Sequence, residues 1–178
     1  MRIMRVFIAI DLPEDVKEEL IKAQKSINSE KDKLSIAREL HLTLKFIGEV
    51  TEDEVEKIKK ALSKIKFKKF NLTLDGTGVF PNENFIRVAW VGIKENKELM
   101  QLSKDIKEAL PEYKEDYPFS AHLTLARVKF VEDKTEFFNK VKNLKIKPLT
   151  FEVKDFRLYS SKLSPKGPTY DVLAIFKA

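Results

Sequence analysis

The sequence lacks cysteine and contains only two histidines and five glycines among its 178 residues. Without cysteine, neither disulfides nor thiolate metal sites can form. With two histidines, a zinc site would need most of its ligands from carboxylates, so we expect any catalysis to proceed without a metal or other cofactor. The apolar stretch 7–10 ends at Asp11 and is too short for a signal sequence or a membrane span. We therefore expect a cytoplasmic protein that does not contact membranes.

The length and the 43% hydrophobic residues predict one domain, residues 1–178. A charged fraction of 35% with scarce glycine is typical of a heat-adapted protein. The net charge of +6 favours an anionic partner such as RNA or a nucleotide. The lysine-dense run 57–69 could add positive potential, or it could simply be the solvated face of a helix. We expect a monomer.

Hydrophobic periodicity predicts alternating strands and helices. The predicted strands cover 5–11, 41–47, 70–74, 85–91, a segment beginning at His122, 150–159 and 169–176. The predicted helices cover 13–29, 96–110 and 134–141, with a further helix carrying Val55, Ile58, Leu62 and Ile65. Thr51 is expected to cap that helix with Glu54 as its capping-box partner, Gly48 to close the second strand, and Asp75 with Gly76 to form a turn. Segments 29–40 and 112–119 are expected to be irregular.

The order of elements repeats, roughly as 1–80 and 81–178. Arg5 aligns with Arg87 at an offset of 82 (87 minus 5), and His41 aligns with His122 at an offset of 81 (122 minus 41). Val79-Phe80 and Leu158-Tyr159 align at an offset of 79 (158 minus 79), so the register persists with small insertions. This repeat predicts an α+β protein of two similar lobes around a pseudo-twofold axis, with two antiparallel sheets facing a central cleft and helices outside.

Both histidines lie in the same tetrad, His41-Leu42-Thr43-Leu44 and His122-Leu123-Thr124-Leu125. On a strand, the histidine and threonine of each tetrad share one face while the leucines point into the core. Two imidazoles and two hydroxyls across a cleft suit in-line displacement at phosphorus. One imidazole would take a proton from the nucleophile and the other would protonate the leaving oxygen, while Thr43 and Thr124 would donate to the non-bridging oxygens.

Other uses of these residues stay open at this point. An isolated histidine is more often structural than catalytic, and two histidines could form a duplicated metal site, although neither tetrad has an Asp, Glu or Cys at ligand spacing. Arg127, three residues beyond Thr124, could bind a phosphate or form a surface ion pair; Phe46 stands at that place in the first half. The aromatic residues near predicted loops or strand ends could stack on a base or belong to the core. They are Phe80, Phe85, Tyr117, Phe119 and Tyr159.

The chain resembles the 2H phosphoesterases, and within them the RNA 2′,3′-cyclic phosphodiesterases also described as 2′-5′ RNA ligases. The resemblance spans almost the whole chain. The matching segments are 5–13 (RVFIAIDLP), 41–49 (HLTLKFIGE), 121–127 (AHLTLAR), 158–163 (LYSSKL) and 167–170 (GPTY). Residues 1–4 precede the usual start of the family, so translation could begin at Met4.

The resemblance implies a bilobal α+β fold, tetrads facing each other in a groove and no metal requirement. It implies hydrolysis of a terminal 2′,3′-cyclic phosphate to a 2′-phosphate, with His41 as the proton donor to the 3′ oxygen and His122 as the base that activates water. The residues alone leave that assignment open, because the repeat makes the histidines equivalent. Two alternatives to hydrolysis remain: ligation of tRNA halves through a 2′-5′ bond, and an idle module that binds RNA ends.

Overall fold

The computed structural model describes residues 2–178, which form nine strands and four helices. The strands are β1 (Ile3–Asp11), β2 (Lys33–Ile36), β3 (His41–Thr51), β4 (Phe70–Asn82), β5 (Phe85–Ile93), β6 (His122–Phe130), β7 (Thr150–Val153), β8 (Asp155–Ser164) and β9 (Gly167–Lys177). The helices are α1 (Glu14–Ile27), α2 (Glu52–Ser63), α3 (Lys97–Ala109) and α4 (Lys134–Lys142). The predicted starts of the four helices are confirmed within one residue, and the predicted strands 5–11, 85–91 and 169–176 are confirmed within two residues at each end.

Two antiparallel sheets form the framework, as predicted. The first sheet has the order β3-β1-β8-β9 and the second has the order β2-β6-β5-β4-β7. If β2 is left out, the two sheets correspond strand for strand. The tetrad strands β3 and β6 correspond to each other, and so do β1 and β5, β8 and β4, and β9 and β7. This correspondence gives the two lobes their pseudo-twofold relation.

The lobes do not coincide with the two halves of the sequence. The first sheet takes β8 and β9 from the second half, and the second sheet takes β2 and β4 from the first half. The helices also cross over, because α1 lies against β6 and α4 of the second lobe while α3 lies against β3 and α2 of the first. Neither half of the chain contains a complete lobe, which differs from the expectation of two contiguous half-domains.

The core lies on the helix-covered faces of the sheets. Val6, Ile8 and Ile10 of β1 and all four tetrad leucines belong to one continuous apolar cluster that also includes residues of every helix. A smaller cluster of Phe7, Ala9 and Tyr159 lies on the opposite face of the first sheet. Strand alternation separates these two clusters, because successive side chains of β1 point to opposite faces.

Helix α2 begins as the sequence predicts. Thr51 Oγ1 accepts a hydrogen bond from the Glu54 backbone N–H, and Glu54 Oε2 accepts one from the Thr51 backbone N–H at 2.7 Å, which completes the capping box. Val55, Ile58 and Leu62 are buried, but the helix ends at Ser63, so Ile65 lies beyond it.

Several predicted boundaries are wrong, and two of the errors involve glycine. Strand β3 continues through Gly48, and β4 continues through Asp75-Gly76. Both glycines have positive φ and lie where the strand register shifts, so they form β-bulges rather than strand ends or turns. The predicted strand 150–159 is divided at Lys154 into β7 and β8, which belong to different sheets. Segment 29–40 is not wholly irregular, since it contains the short edge strand β2.

Candidate active site

Each histidine is the first residue of its strand and lies on the sheet face opposite the helices. His41 and Thr43 are half-buried in β3, and His122 and Thr124 are half-buried in β6. The leucines between and after them are buried in the main core, as the alternation predicted. Strands β3 and β6 belong to different sheets yet lie in direct contact. The fold therefore brings the two strands that carry the tetrads, whose first residues are 81 positions apart in the chain, into contact.

The two imidazoles are held in the same way. His41 Nδ1 lies 2.8 Å from the carbonyl oxygen of Glu39, and His122 Nδ1 lies 2.8 Å from the carbonyl oxygen of Ser120. A carbonyl oxygen can only accept, so Nδ1 carries the hydrogen in both rings. The neutral form of each ring then has its lone pair on Nε2, and the protonated form has a transferable proton there. Each Nε2 can therefore serve as a base or as an acid.

A β-bulge follows the threonine in both tetrad strands. In the first sheet Ala9 pairs with Thr43 but Ile8 pairs with Lys45, which leaves Leu44 without a partner. In the second sheet the same shift leaves Leu125 without a partner. One extra residue reverses the alternation beyond the bulge, so the residue three positions after the threonine returns to the face of the histidine. That residue is Phe46 in β3 and Arg127 in β6.

The bulge in the second lobe is fastened by a buried glutamine of α1. Gln24 Nε2 donates to the carbonyl oxygen of Leu125 at 2.9 Å and to that of Ala37 at 2.7 Å. The Ala37 backbone N–H also donates to the Leu125 oxygen, at 3.0 Å. The extra residue of the bulge thus has its carbonyl satisfied by two donors. Nothing in the sequence around Gln24 distinguishes it from the other polar residues of its helix.

Aromatic rings surround both histidines. The His41 ring lies 5.0 Å from the Phe7 ring and 5.2 Å, edge-on, from the Tyr170 ring. The His122 ring lies 4.9 Å, edge-on, from the Phe80 ring and 6.4 Å from that of Trp90. Centroid distances in this range are those of preferred aromatic contacts.

Only some of these aromatic residues were candidates from the sequence. Of the five aromatic residues that the sequence offered as base-stacking candidates, Phe80 and Tyr159 lie beside the histidines. Phe85 and Tyr117 are exposed, and Phe119 is partly buried against the main core. The sequence analysis missed Phe7, whose place on the site face follows from its alternation with the core residues of β1. It also missed Tyr170 and Trp90, which only the strand pairing brings to the site.

The charges near the two histidines differ. Burial lowers the pKa of both imidazoles, and their hydrogen bonds to the backbone oppose that effect. Near His41, the carboxylate of Asp11 also raises the pKa, while the ammonium of Lys17 lowers it. Near His122, the guanidinium of Arg127 lowers the pKa further.

The strand register explains this difference. Asp11 is the cross-strand partner of His41, whereas Gly92 is the cross-strand partner of His122. The Asp11 carboxylate also lies 3.4 Å from Lys17 Nζ and 3.5 Å from an Arg157 guanidinium nitrogen. A carboxylate beside His41 favours its protonated form, and a guanidinium near His122 favours its neutral form.

The charge of Arg127, in the second lobe, affects the pKa of Tyr170, in the first lobe. Burial raises the pKa of the Tyr170 hydroxyl, Glu39 raises it further, and Arg127 lowers it. Tyr170 belongs to β9 of the first sheet and Arg127 to β6 of the second. Arg127 therefore lowers the pKa of a group in each lobe, Tyr170 in the first and His122 in the second.

Among residues 2–178, no three or more His, Cys, Asp or Glu side chains cluster as a metal site would require. Within the same residues, none of the helices has the length and apolar character needed to cross a membrane.

Two antiparallel sheets that each contribute a strand beginning His-x-Thr form the arrangement that the resemblance to the 2H phosphoesterases implies. The family model described as LigT like Phosphoesterase matches the chain twice, over residues 10–90 and 91–170. The chain therefore belongs to the LigT-like phosphoesterases, which confirms the resemblance.

The chain is also similar, over nearly its full length, to two named relatives and to a solved structure. The chain is 38% identical over 174 residues to a protein of Methanocaldococcus jannaschii named RNA 2′,3′-cyclic phosphodiesterase, covering 96% of this chain and 98% of that one. It is 36% identical over 178 residues to a protein of the same name from Archaeoglobus fulgidus, covering 98% and 100%. The crystal structure of TT0787 of Thermus thermophilus matches with a TM-score of 0.82 and 31% identity, covering 98% and 97%.

Proposed function

We propose that this protein is an RNA 2′,3′-cyclic phosphodiesterase that hydrolyses the cyclic phosphate at an RNA end to a 2′-phosphate. The observation that carries the proposal is the paired arrangement of His41 and His122, each fixed through Nδ1 and each accompanied by a threonine on adjoining strands. The name shared by the full-length relatives gives the substrate class. The net charge of +6 suits a polyanionic substrate.

The reaction then proceeds by in-line displacement at phosphorus. His122 Nε2 takes a proton from water as the water oxygen bonds to phosphorus. The bond between phosphorus and the 3′ oxygen breaks, and His41 Nε2 gives its proton to that oxygen, leaving a 2′-phosphate and a 3′-hydroxyl. His122 ends protonated and His41 neutral, and exchange with solvent restores both. The Asp11 carboxylate beside His41 and the Arg127 guanidinium near His122 favour His41 as the acid and His122 as the base over the reverse assignment.

The other site residues stabilise the phosphate. The hydroxyls of Thr43 and Thr124 donate to the non-bridging oxygens, where negative charge increases in the transition state. Arg127 binds the same phosphate through its guanidinium. Because each proton transfer in this scheme is assigned to an imidazole, we expect turnover without an added metal ion or other cofactor.

We further propose that residues 1–178 act as one bilobal domain and as a monomer. The exchange of strands between the lobes and the continuous core support the single domain. The proposed substrates include halves of cleaved tRNA that end in a 2′,3′-cyclic phosphate. With an RNA 5′-hydroxyl in place of water as the nucleophile, the same displacement would form a 2′-5′ bond, but water is the far more concentrated nucleophile.

The test is incubation of the protein, in EDTA, with an RNA oligomer that ends in a 2′,3′-cyclic phosphate, followed by identification of the end group. A 2′-phosphate with a free 3′-hydroxyl is expected. His41→Ala and His122→Ala should each lower kcat by roughly 10²- to 10⁴-fold, the usual contribution of a general acid or base. Thermal unfolding of each variant checks that it is folded.

The possible results separate the candidate functions. Tight binding of the cyclic end without turnover would favour an idle binding module. Accumulation of 2′-5′ linkages at modest RNA concentration would favour a ligase. Full activity in a folded His41→Ala or His122→Ala variant would refute the mechanism.

A further inference from the structure

Three neighbouring strands of the second sheet carry charges of one sign only. Strands β2, β6 and β5 lie side by side, and they contain Lys33, Arg87, Arg127 and Lys129 but no acidic residue. In the first sheet, by contrast, each of the four strands contains an acidic residue. The two sheets that form the site therefore differ in charge, and a long polyanion is favoured along the second sheet.

Two exposed aromatic residues lie on this part of the second sheet, on its face away from the helices. Phe85 is 52% exposed and Phe130 is 53% exposed. Ile86 belongs to the main core, so strand alternation turns its neighbour Phe85 to the opposite face. Phe130 is the cross-strand partner of Lys33, and Leu34, next to Lys33, packs against the core. Phe130 and Lys33 therefore also point to the face of the histidines.

Both rings lie at the same end of the sheet. Val88 pairs with Arg127 in antiparallel strands, and three residues farther toward that end are Phe85 on β5 and Phe130 on β6. The guanidinium carbon of Arg87 lies 4.9 Å from the centre of the Phe85 ring, a cation–π contact. Aromatic rings and guanidinium planes are both surfaces on which a base can stack. We call this group the aromatic platform; it consists of Lys33, Phe85, Arg87 and Phe130.

The aromatic platform is too far from the histidines to touch the terminal nucleotide. Eight residues separate Phe130 from His122 along β6, which corresponds to roughly 26 Å in a strand. The ion pairs among residues 2–178 use other cations, so Lys33 and Arg87 are available to phosphates. Only a ligand several nucleotides long can reach from the histidines to this surface.

We propose that the aromatic platform binds the single-stranded part of the RNA substrate that precedes its terminal nucleotide. The inference rests on the proposed function, in which the cyclic phosphate lies at His41 and His122 and is attached to an RNA chain. Exposed rings among cations are typical of surfaces that bind single strands without reading their sequence, because the cations hold phosphates and the rings stack on bases. The protein then binds a cyclic end more tightly when a longer single strand carries it.

The test compares a 2′,3′-cyclic mononucleotide with an RNA oligomer that ends in the same cyclic nucleotide. A length of about ten nucleotides lies within the roughly 4–16 nucleotides that such surfaces occupy. Phe85→Ala and Phe130→Ala should each lower kcat/KM for the oligomer by roughly 5- to 150-fold, mainly through KM, as expected for the loss of one base–aromatic stack. Both variants should match the wild-type protein on the mononucleotide, which does not reach the platform. Tryptophan at either position should retain activity on the oligomer, because indole also stacks.

The charge of the aromatic platform should appear in the salt dependence. Arg87→Gln removes one cation, so the plot of log kcat/KM for the oligomer against log salt concentration should become shallower by about 0.7, the contribution of one phosphate contact in a single strand. The same plot for the mononucleotide should not change. A merely structural role of Arg87 would instead lower the activity on both substrates alike.

Met100→Ala is the matched control. Met100 is also a large exposed apolar residue, at 48%, but it lies on helix α3, so its removal should change kcat/KM for neither substrate. No loss on the oligomer in Phe85→Ala and Phe130→Ala, or equal losses on both substrates, would overturn the platform while leaving the proposed reaction standing. Normal hydrolysis of the oligomer with weaker competition by a separate RNA would also overturn it, since the surface would then bind a second strand.

The proposed function and the aromatic platform can fail separately. If the wild-type protein opens neither substrate, the proposed function fails. Fluorescence anisotropy with the same oligomer ending in an ordinary 3′-hydroxyl then still tests the platform. Phe85→Ala and Phe130→Ala should weaken this binding, and equal affinity of both variants and the wild-type protein would refute the platform.

Discussion

Gln24 and Leu125 lie 101 positions apart in the chain, and the side-chain amide of Gln24 donates a hydrogen bond to the backbone oxygen of Leu125 at 2.9 Å. Leu125 is the extra residue of the bulge that separates Thr124 from Arg127. The helix of one half of the sequence thus fixes the strand geometry of the other half's tetrad. The strand exchange between the lobes makes this contact possible.

Replacing Gln24 with methionine should destabilise the protein and impair its site. Methionine has a similar length but no donor, so the partly buried oxygen of Ala37 loses its side-chain partner and the buried oxygen of Leu125 loses one of its two donors. We expect the free energy of unfolding to fall by about 1–3 kcal/mol in urea denaturation. Because the bulge orients Arg127, kcat/KM on a cyclic-phosphate end should also fall at temperatures where the variant is fully folded.

Gln101→Met is the matched control for this experiment. Gln101 is also helical, but it is exposed and its amide bonds only to Asp105 in the same helix. The free energy of unfolding should change by less than about 0.5 kcal/mol, and activity should be unaffected. Equal effects of the two substitutions would show that the hydrogen bonds of Gln24 to the bulge make no specific contribution to stability or activity.

Local patterns of the sequence could be predicted, whereas contacts such as that of Gln24 with Leu125 could not. The tetrads, the capping box of Thr51 and the helix over 96–110 could be predicted because each is a local pattern of a few residues. The contact of Gln24 with Leu125 and the placement of Tyr170 beside His41 depend on which strands pair, and periodicity carries no information about that. Similarly, Gly76 could be recognised as a position of positive φ, but a bulge and a turn both use such a glycine.

Asp11→Asn should affect activity on only one side of the pH profile. Removing the carboxylate lowers the pKa of His41, since Asp11 raises it and the nearby charges of Lys17 and Arg157 remain. Well above the pKa of both histidines, the rate depends on the small protonated fraction of the acid, His41, so kcat/KM should fall. Well below both, it depends on the neutral fraction of the base, His122, and should not change.

The same variant decides the assignment of acid and base. If His41 were instead the base, a lower pKa would raise kcat/KM on the acid side and leave the alkaline side unchanged. Glu14→Gln is the control, because Glu14 also approaches Lys17, at 3.8 Å, but its side chain is highly exposed. The profile of that variant should overlay that of the wild type. NMR titration can follow the pKa of each histidine directly, since the chain has only two.

The Lys45–Glu115 pair should respond differently to the loss of each partner. The Lys45 side chain is 3% exposed, and its Nζ lies 3.4 Å from Glu115 Oε1, in the segment that precedes His122. Glu115→Gln leaves a buried ammonium without its counter-charge and should lower the free energy of unfolding by about 1–3 kcal/mol. Lys45→Met removes the buried charge itself and should change it by less than about 1 kcal/mol. A double variant that is as unstable as Glu115→Gln alone would contradict this explanation.

Gly78→Ala should displace the ring of Trp90 and through it disturb His122. A Cβ at Gly78 would overlap the Trp90 indole, which lies 6.4 Å from the His122 ring and 5.0 Å from that of Phe80. Relieving the overlap should cost about 1–3 kcal/mol and shift the fluorescence emission of Trp90, the only tryptophan in the chain. Gly48→Ala serves for comparison, because its Cβ would meet no atom within 4 Å and its cost comes from a φ of 100°. That variant should be destabilised with unchanged emission, and a similar emission shift in both would rule out a specific displacement of the indole.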